Sequence, residues 1–170
     1  MKLTLEWLKE KGACSEGVKW FMGQKESEDK SVLESLISSD HLNWANWFIV
    51  RLMGKLNQVR YAVYAAEQVI SMFEKKYPND KRPRKAIEAA KAWIKNPTEK
   101  NRVVAASAAD AAADDAASAA YAAADAYASA AYAAAYAAAY AAAAYAAAAR
   151  KKLQLKILSY GMKLLKGGRP

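Results

Sequence analysis

The sequence predicts an all-α protein. No run alternates apolar and polar residues for long enough to make a strand, and apolar residues recur at spacings of three and four from Val59 to Tyr77. Positions 98–149 are mostly alanine, which has the best helix propensity of any residue.

Taken in order, Thr4 to Lys11 reads as a short helix closed by Gly12, and Ser31 to Ser39 as a second. Asp40 reads as the cap of a third, HLNWANWFIVRLM, which stops near Gly54. Asn57 can cap QVRYAVYAAEQVISMFEKKY, where Val59, Val63, Ala66, Ile70, Phe73 and Tyr77 hold the apolar spacing up to Pro78. After a turn at NDKR, Pro83 takes the first position of PRKAIEAAKAWIK, and the dipeptide NP closes that helix. Thr98 is a good N-cap, and no Gly or Pro follows until Gly161. The closing RKKLQLKILSYGMKLLK reads as a basic amphipathic helix docked on the core through Leu153, Ile157 and Leu164.

This organisation divides one folded unit into a helical bundle over 1–97, an Ala/Tyr/Asp-rich helical segment over 98–149, and a basic C-terminal helix and tail over 150–170. A single helix over 98–149 would be ~78 Å long at ~1.5 Å per residue, longer than a domain of this size is wide. It projects, packs along a neighbouring subunit, or folds back as a hairpin, and the sequence leaves these three open. On a helical wheel Tyr121, Tyr132, Tyr136 and Tyr140 share one stripe with aspartates and serines in an eleven-residue repeat, opposite a face of bare methyl groups. That stripe is either solvated or a wall of hydroxyls. The alanine face is expected to pack against another helix, which makes a homo-oligomer the expectation.

The net charge is +9, unevenly spread. Residues 1–97 carry 17 basic and 12 acidic side chains, residues 98–149 carry 2 and 5, and residues 150–170 carry 7 and none. Such asymmetry points to an anionic partner or ligand. The charged N-terminal stretch does not resemble a signal peptide and no strongly apolar span is present, so a soluble cytoplasmic protein without a membrane role is expected. One cysteine, Cys14, and one histidine, His41, exclude an internal disulfide and a dedicated Cys/His zinc site. There is no GxSxG, no HExxH and no phosphate-binding glycine loop, so neither an enzyme nor a cofactor is expected.

The candidate binding residues lie in the middle of the bundle. Arg60, Tyr64 and Glu67 share a helix face opposite the apolar one, at i, i+4 and i+7. Lys81, Arg82, Arg84 and Lys85 surround Pro83 at a helix start, where cations oppose the helix dipole and so look retained for a partner. Glu88, four residues after Arg84, can offset part of that charge. Arg60, Tyr64, Glu67, Arg82, Arg84 and Lys85 are therefore the expected ligand-binding set, suited to a phosphate-bearing ligand through guanidinium contacts and ring stacking.

The segments RYAVYAAEQV and DKRPRKAIEAA, with Gly12-Ala13-Cys14, Gly17, Trp20-Phe21 and NWANWFIVR upstream and an Ala/Tyr/Asp-rich stretch after, carry a resemblance. The chain resembles the small helical family of putative immunity proteins, group five, found in bacterial and phage genomes. The resemblance spans roughly residues 12–153 and implies neutralisation of a toxin or other antagonist by binding. It carries no catalytic residues. The sequence thus predicts a non-enzymatic sequestering protein of a bacterial or phage conflict system. Its ligand is a small anionic nucleotide-type immune signal or, alternatively, a toxin protein bound directly. Nucleic acid is a weaker expectation, because the basic residues are sparse and not interleaved with aromatics.

Overall fold

In the computed structural model, which describes residues 1–108 and 147–167, a central helix is buried along two edges. The helices are α1 (Leu5–Glu10), α2 (Ser15–Met22), α3 (Asp29–Ser38), α4 (Leu42–Arg51), α5 (Lys55–Glu67), α6 (Ile70–Lys76), α7 (Arg82–Lys95), α8 (residues 99–108) and α9 (Ala147–Gly167). Among the described residues there is no strand, only an isolated antiparallel bridge between Lys2 and Glu28. The fold is all-α.

The central helix is α5. Tyr61, Ala62 and Ala65 on one edge are buried with Phe48, Ile49 and Val50 of α4, Val32 and Leu36 of α3, and Ile157 and Leu158 of α9. Val59, Val63 and Ala66 on the other edge are buried with Ile70 and Phe73 of α6 and with Ala86, Ile87 and Ala90 of α7. Ala66 of α5 and Ala86 and Ala90 of α7 are all buried in this second cluster, small side chains of the kind that let two helices pack closely. The docking of α9 through Ile157 agrees with the sequence reading, and Leu153 and Leu164 pack beside it, half-buried. No described helix is long and apolar enough to cross a membrane.

Several boundaries differ from the sequence reading, each for a local reason. Asp40 does not cap α4. It adopts a left-handed conformation (φ 62°) and ends α3, with its N–H donating to Ile37 O (3.2 Å) and the His41 N–H donating to Leu36 O (2.8 Å). These two bonds form a Schellman closure, and Gly12 (φ 73°) closes α1 in the same way. His41 is the residue before α4 instead, without a side-chain cap bond. Likewise Asn57 does not start α5, whose N-cap is Gly54. The segment read as one helix through Tyr77 is two, because the chain turns at Gln68–Val69 before α6 begins. Helix α2 is not among the helices that the sequence predicts. Its N-cap is Cys14, whose Sγ accepts the Gly17 N–H at 3.4 Å.

The described part of the Ala-rich segment keeps Thr98 as a cap, its Oγ1 accepting the Asn101 N–H at 3.3 Å. Ala105 of α8 is buried and Ala108 packs against the α5–α7 core. The Tyr/Asp/Ser stripe and the choice between one helix and a hairpin lie outside the described residues, apart from exposed Ser107.

Candidate functional site

Arg60, Tyr64 and Glu67 occupy the stripe of α5 that lies between its two buried edges, and the structure separates them by partner. Tyr64 stacks on Tyr160 of α9, with ring centroids 4.0 Å apart and planes 17° from parallel. Arg60 donates from Nη1 to Asn57 Oδ1 at 3.2 Å, and Asn57 in turn donates to the Leu164 carbonyl of α9. Glu67 faces the other way and pairs with Lys91 of α7.

At the start of α7 the arginines find carboxylates within the chain. Arg82 donates to Asp80 from its backbone N–H (3.0 Å), Nε (2.9 Å) and Nη2 (2.7 Å), so Asp80 serves both as a helix-start acceptor and as a bidentate partner. Hydrogen bonds from the Arg82 side chain, then its backbone, hold the Asp80 carboxyl down to about 2. Arg84 makes a second bidentate pair with Glu74 of α6, Nε to Oε1 at 2.8 Å and Nη2 to Oε2 at 2.6 Å. That bond keeps Glu74 below the usual carboxylate range, and Glu74, with Glu88 and Glu67 adding, raises the pKa of Arg84. The partner that the opposed helix dipole predicts is thus supplied to Arg82 and Arg84 by Asp80 and Glu74 of the chain itself. Lys85 is exposed and has no ion pair among the described residues.

The set therefore divides into Arg60 and Tyr64 against α9, Glu67 paired across to α7, Arg84 of α7 paired across to α6, Arg82 paired within its own turn, and Lys85 outward. What this arrangement does chemically is tie α5, α6, α7 and α9 together. Among the described residues, no three His, Cys, Asp or Glu side chains come together as a metal site.

A second feature was not part of the sequence reading. Between α1, α2, α3 and α4 a pocket of about 240 Å³ is walled by Trp20, Phe21, Trp44, Trp47 and Phe48, with the exposed Cys14 also lining it. Trp20 and Trp44 meet edge to face at 6.4 Å, and His41 stacks on Trp44 at 4.5 Å. The guanidinium of Arg51 lies 4.8 Å over the Trp47 ring, and burial alone pulls its pKa below the ordinary value. The signal in the sequence was the density of tryptophan, with Trp44, Trp47 and Arg51 at i, i+3 and i+7 on one helix face. It reads as core until the structure leaves those tryptophans half-buried.

A family model described as "Imm-5 like putative immunity protein" matches residues 51–161. The match takes in Arg51, α5 to α8 and α9 as far as Gly161; the upstream Gly12-Ala13-Cys14, Trp20-Phe21 and every residue lining the aromatic pocket lie outside it. No curated protein and no solved structure matches the chain.

Proposed function

The chain belongs to the Imm-5 like putative immunity protein family, and on that premise we propose that it neutralises a toxin by direct protein–protein binding. Family membership is the observation that carries this reading. The geometry supports it from a second side. A nucleotide phosphate seated on Arg82 and Arg84 would have to displace two bidentate carboxylates that already satisfy those guanidiniums, and the free energy of that exchange is small. A protein partner needs no such exchange. It can use the whole surface of a chain carrying +9, and an acidic toxin face would be steered toward it.

The test is co-expression, in a sensitive bacterial strain, of this protein with the product of the gene beside its own. Restored growth, with a stoichiometric complex in calorimetry that forms more slowly as salt rises, is the expected result. A parallel titration with mono-, di- and cyclic nucleotides gives no heat. Tight nucleotide binding that Arg82→Ala and Arg84→Ala abolish in folded protein, without any protection of growth, overturns the toxin reading in favour of sequestration of a small anion.

A further inference from the structure

We propose that the aromatic pocket between α2 and α4 is the surface on which the partner docks, and that the partner inserts there one apolar or aromatic side chain flanked by carboxylates. The identity of that partner as a toxin rests on the reading above, whereas the chemistry of the pocket stands on its own geometry.

The pocket is small for a free ligand. At about 240 Å³ it falls below the roughly 300–1,000 Å³ of common small-molecule sites, and it suits a single large side chain. Three tryptophans and two phenylalanines stand among its lining residues, and tryptophan, with arginine, is among the residues that carry most binding energy at protein interfaces, because it desolvates a large area while losing few rotamers. Trp20, Trp44 and Trp47 remain half-buried in the free chain, although each already packs against the core.

Arg51, which lies over the ring of Trp47 rather than in the pocket lining, sets the charge at the edge of the pocket. Arg82, Arg84 and Arg102 each hold a carboxylate of this chain in a bidentate pair. Arg51, half-buried and fixed over Trp47, has no carboxylate partner among the described residues. A half-buried guanidinium oriented by a ring and left without an anion is pre-organised to receive one. Of the acidic residues on the helices bordering the pocket, Glu10 is paired with Lys11, Asp29 with the N-terminal ammonium group and Glu34 with Lys30, while the carboxyls of Glu6 and Glu16 are held low by backbone and side-chain hydrogen bonds at the starts of α1 and α2. The carboxylate must come from outside, which agrees with the net charge of +9.

The test uses acetylated, amidated tripeptides as probes: Asp-Phe-Asp, Asp-Ala-Asp and Lys-Phe-Lys. Two readouts follow the full-length protein: the indole N–H resonances of its five tryptophans, and the rate at which maleimide alkylates Cys14, its single cysteine, on the pocket wall. Asp-Phe-Asp is expected to shift Trp20, Trp44 and Trp47 saturably, to spare Trp93, and to slow alkylation of Cys14. It should bind about tenfold tighter than Asp-Ala-Asp, the value of burying one aromatic side chain. Arg51→Glu, with melting as the check on folding, should reverse the preference between Asp-Phe-Asp and Lys-Phe-Lys, and Arg51→Gln should erase it.

The proposal is wrong if no indole moves, if Trp93 moves as much as the others, or if Arg51→Glu leaves the preference unchanged. It is also wrong if the free protein is a dimer that Asp-Phe-Asp dissociates, because the occupant is then a second copy of the chain. Growth protection separates the two readings. If folded Arg51→Glu protects as well as the wild type, the pocket is not the docking surface and the immunity reading stands. If the peptides behave as expected but no neighbouring toxin is neutralised, the immunity reading fails and the acidic-aromatic specificity of the pocket remains.

Discussion

Gly161 sits in the middle of α9, where a glycine ordinarily costs a helix about 1 kcal/mol relative to alanine. The compensation is closeness. A Cβ built there would lie 2.7 Å from Ile49 Cδ1 and 2.7 Å from Tyr61 Cε2, both belonging to residues with no exposed surface. Neither neighbour has room to retreat, so Gly161→Ala is expected to destabilise by about 1–2 kcal/mol despite its better propensity, the usual cost of overpacking. A lowered midpoint in urea denaturation checks this, and an unchanged or raised midpoint means that α9 shifts away freely. In the sequence Gly161 merely ended a long stretch without glycine. Its purpose became visible only with the helix it crosses, because nothing in a single segment encodes the distance to another.

Helices α6 and α7 are joined by the Arg84–Glu74 pair, and the pair reverses what the dipole argument alone implies about Arg84. Its side chains are 37% and 25% exposed, so solvent screens much of the attraction. Arg84→Ala should therefore cost no more than about 1 kcal/mol at neutral pH, and Arg84→Glu should cost more, because it faces Glu74 with Glu67 and Glu88 nearby. Since Glu74 titrates lower in the folded chain than in the unfolded one, the stability it adds is present above the ordinary carboxylate range and is lost as pH falls through its folded pKa. The difference between wild type and Arg84→Ala in thermal melts should accordingly shrink below about pH 4. A difference that stays constant into acid would mean that Arg84 acts by packing its stem. The cations at this helix start were legible as a cluster with a purpose. Glu74 was not legible as their partner, since ten residues and a turn separate it from Arg84. The same limit hid the break at Gln68, where the apolar spacing runs on without interruption, and α2, whose cap is a cysteine rather than one of the usual oxygen-bearing residues.

Across the whole molecule, the all-α class, the docking of α9 and the membership of an immunity family could be read from spacing, propensity and two specific segments. The arrangement of helices could not, because α5 is buried on two edges and a helical wheel shows which faces are apolar without showing which neighbour covers each. One buried contact gives that arrangement an optical signature. The Tyr61 hydroxyl donates to Asn46 Oδ1 at 2.6 Å between α5 and α4, and burial drives its pKa far above the ordinary phenol value. An unfolded phenol ionises near 10, so the stability gained by keeping Tyr61 neutral is complete below that pH and drains away as pH rises beyond it. On a jump to roughly pH 11, accessible phenols should ionise within the mixing time. The Tyr61 share of the tyrosinate absorbance should appear only as fast as helical circular dichroism is lost, making one phenolic proton a clock for global opening. Tyr61→Phe should remove that slow absorbance phase while the dichroism phase persists at a faster rate. A slow absorbance phase that survives the substitution would assign the clock to another tyrosine.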